Sequence, residues 1–199
     1  MSAFHVLIRL LGAVNASLLR AGRAVGWLML LAMVVVTLVE VFYRYTLSNS
    51  QPWTIEMSVA LMLWMTALVA PTAYRRAGFV AIDLVPDLLP PRLRALLMLV
   101  ILALSTAVLV VMLERAWTRF ANPFQSTSPA LNRVLQDSGL NALLGTGIEV
   151  KLSWIYLSMV IGLALLLAVN VELVMRQVAR LLGTEEAEAP PEAEPVVAE

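Results

Sequence analysis

No cysteine occurs among the 199 residues, so neither a disulfide nor a thiolate metal site can form. A single histidine, His5, leaves no pair of imidazoles to ligate haem from facing helices, and with thiol exchange also absent a four-helix redox enzyme is excluded. Charge is scarce as well: 14% of the residues are Asp, Glu, Lys or Arg, and the formal net charge is zero, which provides no basic excess for nucleic acid. Against these shortages, 60% of the chain is hydrophobic and the mean hydropathy is +0.83. A soluble domain of this length cannot hide that much apolar surface in one core, so the composition describes a membrane protein.

Four stretches are long enough to cross a bilayer, at about 20 apolar residues and about 1.5 Å of rise per residue. They run over residues 24–45, 53–74, 93–116 and 152–175. Hydrocarbon provides no water to satisfy stray backbone groups, so each is predicted to be a helix. The fold class is therefore an all-α integral membrane protein with four transmembrane helices in a membrane domain spanning 23–176.

Arg9, Arg20, Arg23, Arg75, Arg76, Arg92, Arg94, Arg176 and Arg180 all fall on one side of these spans. By the positive-inside rule that side is cytoplasmic and both termini lie there. Arg44, Arg115, Arg119, Arg133 and Lys151 fall on the other side, the last four near or within a long connection.

Before the first span, residues 1–22 place Phe4, Leu7, Ile8, Leu11, Val14 and Leu18 at helical spacing, with His5, Arg9, Gly12, Ala16, Arg20 and Arg23 opposite. This pattern predicts an amphipathic helix lying in the inner interface, with an extension of the first span as the alternative; charge distributed through the segment argues against a cleavable signal. The connection 77–91 is apolar but punctuated by Gly78, Pro86, Pro90 and Pro91, and is expected to hug the membrane surface. Residues 177–199 carry Glu, Pro and Ala in a composition that predicts a disordered acidic cytoplasmic tail.

The first hairpin concentrates polar residues. Arg44 closes the first span, LSNSQP supplies the turn, and Glu56 opens the second, with Glu40 one turn before Arg44. An Arg44–Glu56 clamp at headgroup depth is the expected arrangement, although either residue alternatively meets a partner subunit. Trp27, Trp53, Trp117 and Trp154 fit interfacial positions, whereas Trp64 lies about 16 Å deeper than Trp53 and predicts a protein-facing surface. Glu40, Glu114 and Glu172 stand near span ends, and Glu172 has Arg176 at i+4. Pro71 is expected to tilt or kink the second span.

The run RYTLSNSQPWTIEMSVALMLW followed by AYRRAGFVAIDLV resembles the small membrane subunit of tripartite ATP-independent periplasmic (TRAP) transporters, the DctQ-like family. The resemblance falls on Arg44, Tyr45, Trp53, Glu56, Trp64, Arg76, Gly78 and Asp83, and the four-span plan and SWIYLSMVIG extend it over most of the chain. Phe79 departs from it where His is common, and the segment 120–151 is longer than usual. The resemblance implies a scaffold subunit that supports a large membrane subunit in uptake of an organic acid delivered by a periplasmic substrate-binding protein. It implies no cofactor in this chain, with sodium bound by the large subunit. A stand-alone four-helix exporter of small solutes is the alternative.

Association in lipid relies on small residues or buried polar contacts, so Ser158 and Gly162 are candidates for packing within the unit or against the large subunit. With Arg44, Trp53, Glu56, Trp64, Arg76, Gly78 and Asp83 they make up the structural or interface set. In the periplasmic loop 120–151, Pro129 is expected to open a short helix after Ser128. Leu131, Val134 and Leu135 would present its apolar face, either to the large subunit as part of a platform on which the binding protein docks or to the lipid surface with no partner.

Overall fold

The computed structural model describes residues 2–48, 51–77, 90–122, 127–129, 132–133, 151 and 153–181. The chain forms four long helices: α1 (Ser2–Thr46), α2 (Pro52–Ala77), α3 (Pro91–Phe120) and α4 (Ser153–Leu181). All four are long and apolar enough to cross a membrane.

Helix α1 runs unbroken across residues 22 and 23, where the sequence suggests a boundary between an interfacial helix and a first span. Its 45 residues extend to about 67 Å at 1.5 Å per residue, more than twice the ~30 Å hydrocarbon thickness. No proline interrupts it, and Gly12, Gly22 and Gly26, which weaken an exposed helix, are all buried against other helices. The face that the first third of α1 presents to the protein consists of Ile8, Gly12, Asn15 and Leu19. Val6, Leu10, Val14 and Leu18 remain exposed. The helix ends at Thr46, and two residues on Ser48 takes a φ of 49°, the left-handed conformation that turns a chain out of a helix.

Helix α3 begins with Pro90 in an extended conformation and Pro91 at its first position, where the missing N–H breaks no helical bond. Helix α2 continues through Pro71. A proline ring cannot donate to the carbonyl four residues back, so the Ala67 carbonyl is left without its helical bond. That carbonyl lies where another helix approaches most closely.

The helices form a row, α1–α2–α4–α3, in which α3 packs chiefly on α4 and α1 reaches past α2 to touch α4. Contacts at matched heights give the directions. Glu40 meets Thr54 and Gly12 meets Arg75, so α1 and α2 are antiparallel. Gly162 meets Ala67 and Glu172 meets Arg75, so α2 and α4 are parallel. Asn170 meets Leu102 and Gln177 meets Ala95, so α4 and α3 are antiparallel. One end of the row collects Arg9, Arg20, Arg75, Arg76, Arg94, Arg176 and Arg180 and is called the basic end. The other, the loop end, carries the α1–α2 turn and the 121–152 connection. Helix α4 is the centre of the unit, since 44% of its most apolar window is buried against 6%, 6% and 11% for α1, α2 and α3.

Small residues make this packing close. A Cβ added to Gly162 would fall 2.9 Å from the Cα and Cβ of Ala67 and 3.2 Å from its carbonyl oxygen. On the other flank of α2, a Cβ on Gly22 would fall 3.1 Å from the Leu68 carbonyl, and one on Gly26 would fall 2.6 Å from Val69 Cγ2. Residues 67–69 of α2 are thus held between a Gly-xxx-Gly pair of α1 and Gly162 of α4. In lipid, where burial alone does not drive helix association, this approach supplies the van der Waals contact.

Candidate functional site

The polar side chains inside the row form two connected clusters toward its basic end. In the first, Glu172 of α4 is 1% exposed and both its carboxylate oxygens are engaged. Oε1 accepts from Arg75 Nη2 at 2.8 Å and from Arg176 Nε and Nη2 at 3.1 and 2.9 Å. Oε2 accepts from Asn15 Nδ2 at 2.8 Å, and the same amide group donates to the Ala168 carbonyl at 3.2 Å. Arg75 Nη2 also donates to the Gly12 carbonyl at 3.2 Å, so one carboxylate joins α1, α2 and α4. A Cβ on Gly12 would fall 2.9 Å from Arg176 Nη2 and 3.3 Å from Glu172 Oε1, so the glycine gives this cluster room. Arg75 Nε and Nη1 and Thr72 Oγ1 are buried without a hydrogen-bond partner among the described residues. Glu172 is therefore the counter-charge that makes burial of the Arg75 guanidinium tolerable.

In the second cluster, Asn170 is 0% exposed and bridges α2, α3 and α4. Its Oδ1 accepts from the Tyr74 hydroxyl at 2.7 Å, and its Nδ2 donates to Thr106 Oγ1 at 2.7 Å and to the Leu102 carbonyl at 3.2 Å. One turn beyond Leu173, Gln177 Nε2 donates to the Ala95 carbonyl at 3.0 Å. Leu19, Leu102, Val169 and Leu173 pack between these groups as an apolar core.

At the loop end, the expected Arg44–Glu56 clamp is not formed. Arg44 is exposed and makes no ion pair with a described residue, while Glu56 accepts a hydrogen bond from the hydroxyl of Ser128. The hairpin is tied instead by Glu40, whose Oε2 accepts from Thr54 Oγ1 at 2.6 Å and from the Gln51 N–H at 3.3 Å. The reason is geometric: Glu40 lies a turn deeper than Arg44 and faces the first turn of α2, whose backbone donors lack helical partners. Thr54→Ala and Glu40→Gln are each expected to lower the thermal midpoint by an amount corresponding to about 1 kcal/mol, in line with loss of a cap. A double variant no worse than either single one would confirm a shared bond; additive losses would show two separate roles.

Ser158 and Gly162, candidates for either the unit or its partner, face inward. Ser158 is 2% exposed and donates to the Ile155 carbonyl at 2.6 Å, and Gly162 packs on Ala67, so neither surface is open to another subunit. Trp53 and Trp64 are half-buried and Arg76 is exposed. Trp27, Trp117 and Trp154 are exposed at 68%, 57% and 61%, as interfacial indoles are. Of the tail expected over 177–199, residues 177–181 instead belong to α4, where Gln177 and Ala179 are buried; the rest of it, with Gly78, Asp83, Leu131, Val134 and Leu135, lies outside the described residues. At the base of the long loop, the Asn132 N–H donates to the Ser128 carbonyl at 3.1 Å, a helical turn over Pro129. Thr127 pairs with Lys151 in an antiparallel bridge, which closes the two ends of the loop on each other above α2.

Within the two polar clusters, the sequence marks only Glu172 and Arg176 as partners, being four apart on one helix. Asn15, Asn170 and Gln177 carried a usable signal, because each is an isolated polar residue within an apolar helical pattern.

The described residues thus form a four-helix membrane unit joined by buried polar bonds, with Glu172 linking three of its helices. Residues 33–180 match the family of tripartite ATP-independent periplasmic transporters, DctQ component, and the chain belongs to that family. It is also similar to the C4-dicarboxylate TRAP transporter small permease protein DctQ of Vibrio cholerae serotype O1, with 29% identity over 93 residues. That match covers 47% of this chain and 40% of the relative. No solved structure matches the chain.

Proposed function

We propose that this chain is the fixed scaffold subunit of a TRAP transporter, supporting a large membrane subunit in sodium-coupled, binding-protein-dependent uptake of an organic acid. The observation that carries this reading is the engagement of three carboxylates, Glu172 fully buried and Glu40 and Glu56 half-buried. Glu172 is bonded by Arg75, Arg176 and Asn15. Glu40 is bonded by Thr54 and Gln51, and Glu56 by Ser128. A carboxylate that couples an ion to transport must gain and lose partners, whereas these serve as joints between helices. The named relative handles C4-dicarboxylates, which supports an anionic organic substrate for the assembled system.

In this reading the basic end faces the cytoplasm and the loop end the periplasm. The closed base of the 127–151 loop, tied to Glu56 through Ser128, supports a role for this loop in docking the binding protein.

Reconstitution tests the assignment. The purified chain alone is expected to give no sodium-coupled uptake. A system of large subunit and binding protein is expected to lose transport when this chain is omitted. Uptake by the isolated chain would overturn the scaffold reading. The orientation is checked separately with Leu47→Cys and Leu181→Cys in a chain without native cysteine. An impermeant thiol reagent applied from the periplasmic side should label the first and spare the second; the reverse pattern inverts the topology.

A further inference from the structure

The formal charge of zero is spread unevenly between the two ends of the row. On the loop side of the spans five cations accompany five carboxylates, so that side is neutral by itself. On the other side nine arginines stand against Glu172 of α4 and against Asp83 and Asp87 of the connection between α2 and α3, an excess of six. The remaining carboxylates of the chain are the six glutamates of residues 182–199, a stretch without lysine or arginine. The charge that balances the basic end is therefore concentrated in one terminal segment.

The fold places the root of that segment among the arginines. Helix α4 ends at Leu181, at the basic end, and is the central helix of the row. Its last turns are bonded to all three neighbours: Glu172 to Asn15 of α1 and Arg75 of α2, and Gln177 to the Ala95 carbonyl of α3. Packed helices lie about 8–10 Å apart, so the root is about one such spacing from each neighbour. A coil of eighteen residues spans about 23 Å, more than twice that distance. Glu172 is used up inside the bundle against Arg75, which leaves the excess on the other arginines. Arg76, next to Arg75 in sequence, is exposed and makes no ion pair with a described residue.

We propose that residues 182–199 fold back over the basic end of the row and serve as its built-in counter-charge. Each exposed charge pair contributes little, and no single geometry is required. Tethering supplies the rest, because it holds the tail near the arginines at an effective concentration in the millimolar range. The covered end then attracts anionic lipid headgroups less than bare arginines do. Tail and basic end share one side of the row in either orientation, so the inference is independent of topology and of the scaffold reading.

The test is a distance between two spin labels on the full chain, which has no native cysteine. One label is placed at Leu93→Cys, an exposed position in the first turn of α3, and the other at Val196→Cys in the tail. Raising the salt to about 1 M, where the Debye length is about 3 Å, should lengthen the mean distance by about 10 Å. That is the difference between about one helix spacing and the roughly 20 Å spanned by a coil from Leu181 to Val196. A tail indifferent to the arginines gives the opposite sign, because screening relieves its self-repulsion and lets it contract; a shortened or unchanged distance overturns the proposal. Replacing all six tail glutamates by Gln should give the long distance at every salt concentration, and a short one would overturn charge as the cause. Arg76→Glu with Arg180→Glu, both at exposed positions, lowers the excess from six to two and should remove most of the salt response. A full response in that variant overturns the proposal. Circular dichroism reports whether it is folded; if it is not, the glutamine tail, which alters no helix, decides. The measurement is made in phosphatidylcholine nanodiscs and again in nanodiscs containing phosphatidylglycerol, with the same response expected in both. A response confined to phosphatidylcholine would give the basic end to anionic headgroups and overturn the proposal.

Discussion

Glu172→Ala is expected to be the most damaging single substitution, lowering stability by about 3 kcal/mol or more. The change leaves Arg75 buried, with its side chain 2% exposed and no counter-charge, while Arg176 at 15% can turn toward the membrane surface. It also leaves the Asn15 amide bonded only to the Ala168 carbonyl. The loss therefore comes chiefly from a stranded cation rather than from the absent bonds themselves. Replacing both partners, as in Arg75→Met with Glu172→Met, should recover most of the stability, because a buried pair is often worth little compared with apolar groups of similar volume. Thermal unfolding in detergent, followed by circular dichroism for the two single variants and the double one, measures the coupling. A Glu172→Ala midpoint indistinguishable from the parent would show that the cluster bears no load.

Gly162→Ala should have the second largest effect, for a steric reason. The new Cβ would lie 2.9 Å from two backbone-proximal atoms of Ala67, closer than carbon atoms approach, and α2 and α4 would have to separate. Overpacking of this kind costs about 1–3 kcal/mol. Gly26→Ala offers an internal comparison, because its new Cβ meets only Val69 Cγ2, a side-chain atom. Adding Val69→Ala should restore the Gly26 variant. Adding Ala67→Gly should not fully restore the Gly162 variant, since the Ala67 Cα remains in the way. Full rescue at both positions would mean that side chains alone set the distance between α2 and α4.

These two residues also show how far the sequence could be read. Gly162 was visible as one half of a small-xxx-small pair, but the spacing does not say which helix lies opposite. The same limit concealed Gly22 and Gly26, whose close contact with α2 depends on a hairpin geometry that no local pattern encodes. Glu172 and Arg176 were legible as a pair because both lie on one helix. Arg75 was not, because an arginine at a span end is explained equally well as a topology marker. Its bond to Glu172 crosses 97 residues of chain, and the Asn15 bond to the same carboxylate crosses 157.

The sequence by itself determined that the chain spans a membrane with four helices, and its motifs pointed to the DctQ-like family. Both follow from local properties: hydropathy over about twenty residues decides insertion, and short runs such as RYTLSNSQPW carry family likeness without reference to what they touch. Tertiary structure alone decided the order α1–α2–α4–α3, the central position of α4, and the choice of Glu40 rather than Arg44 to tie the first hairpin. In lipid the apolar faces of all four helices are nearly equivalent, so hydrophobicity cannot select neighbours. That selection rests on a few glycines and buried polar groups, whose partners are defined only once the helices are side by side.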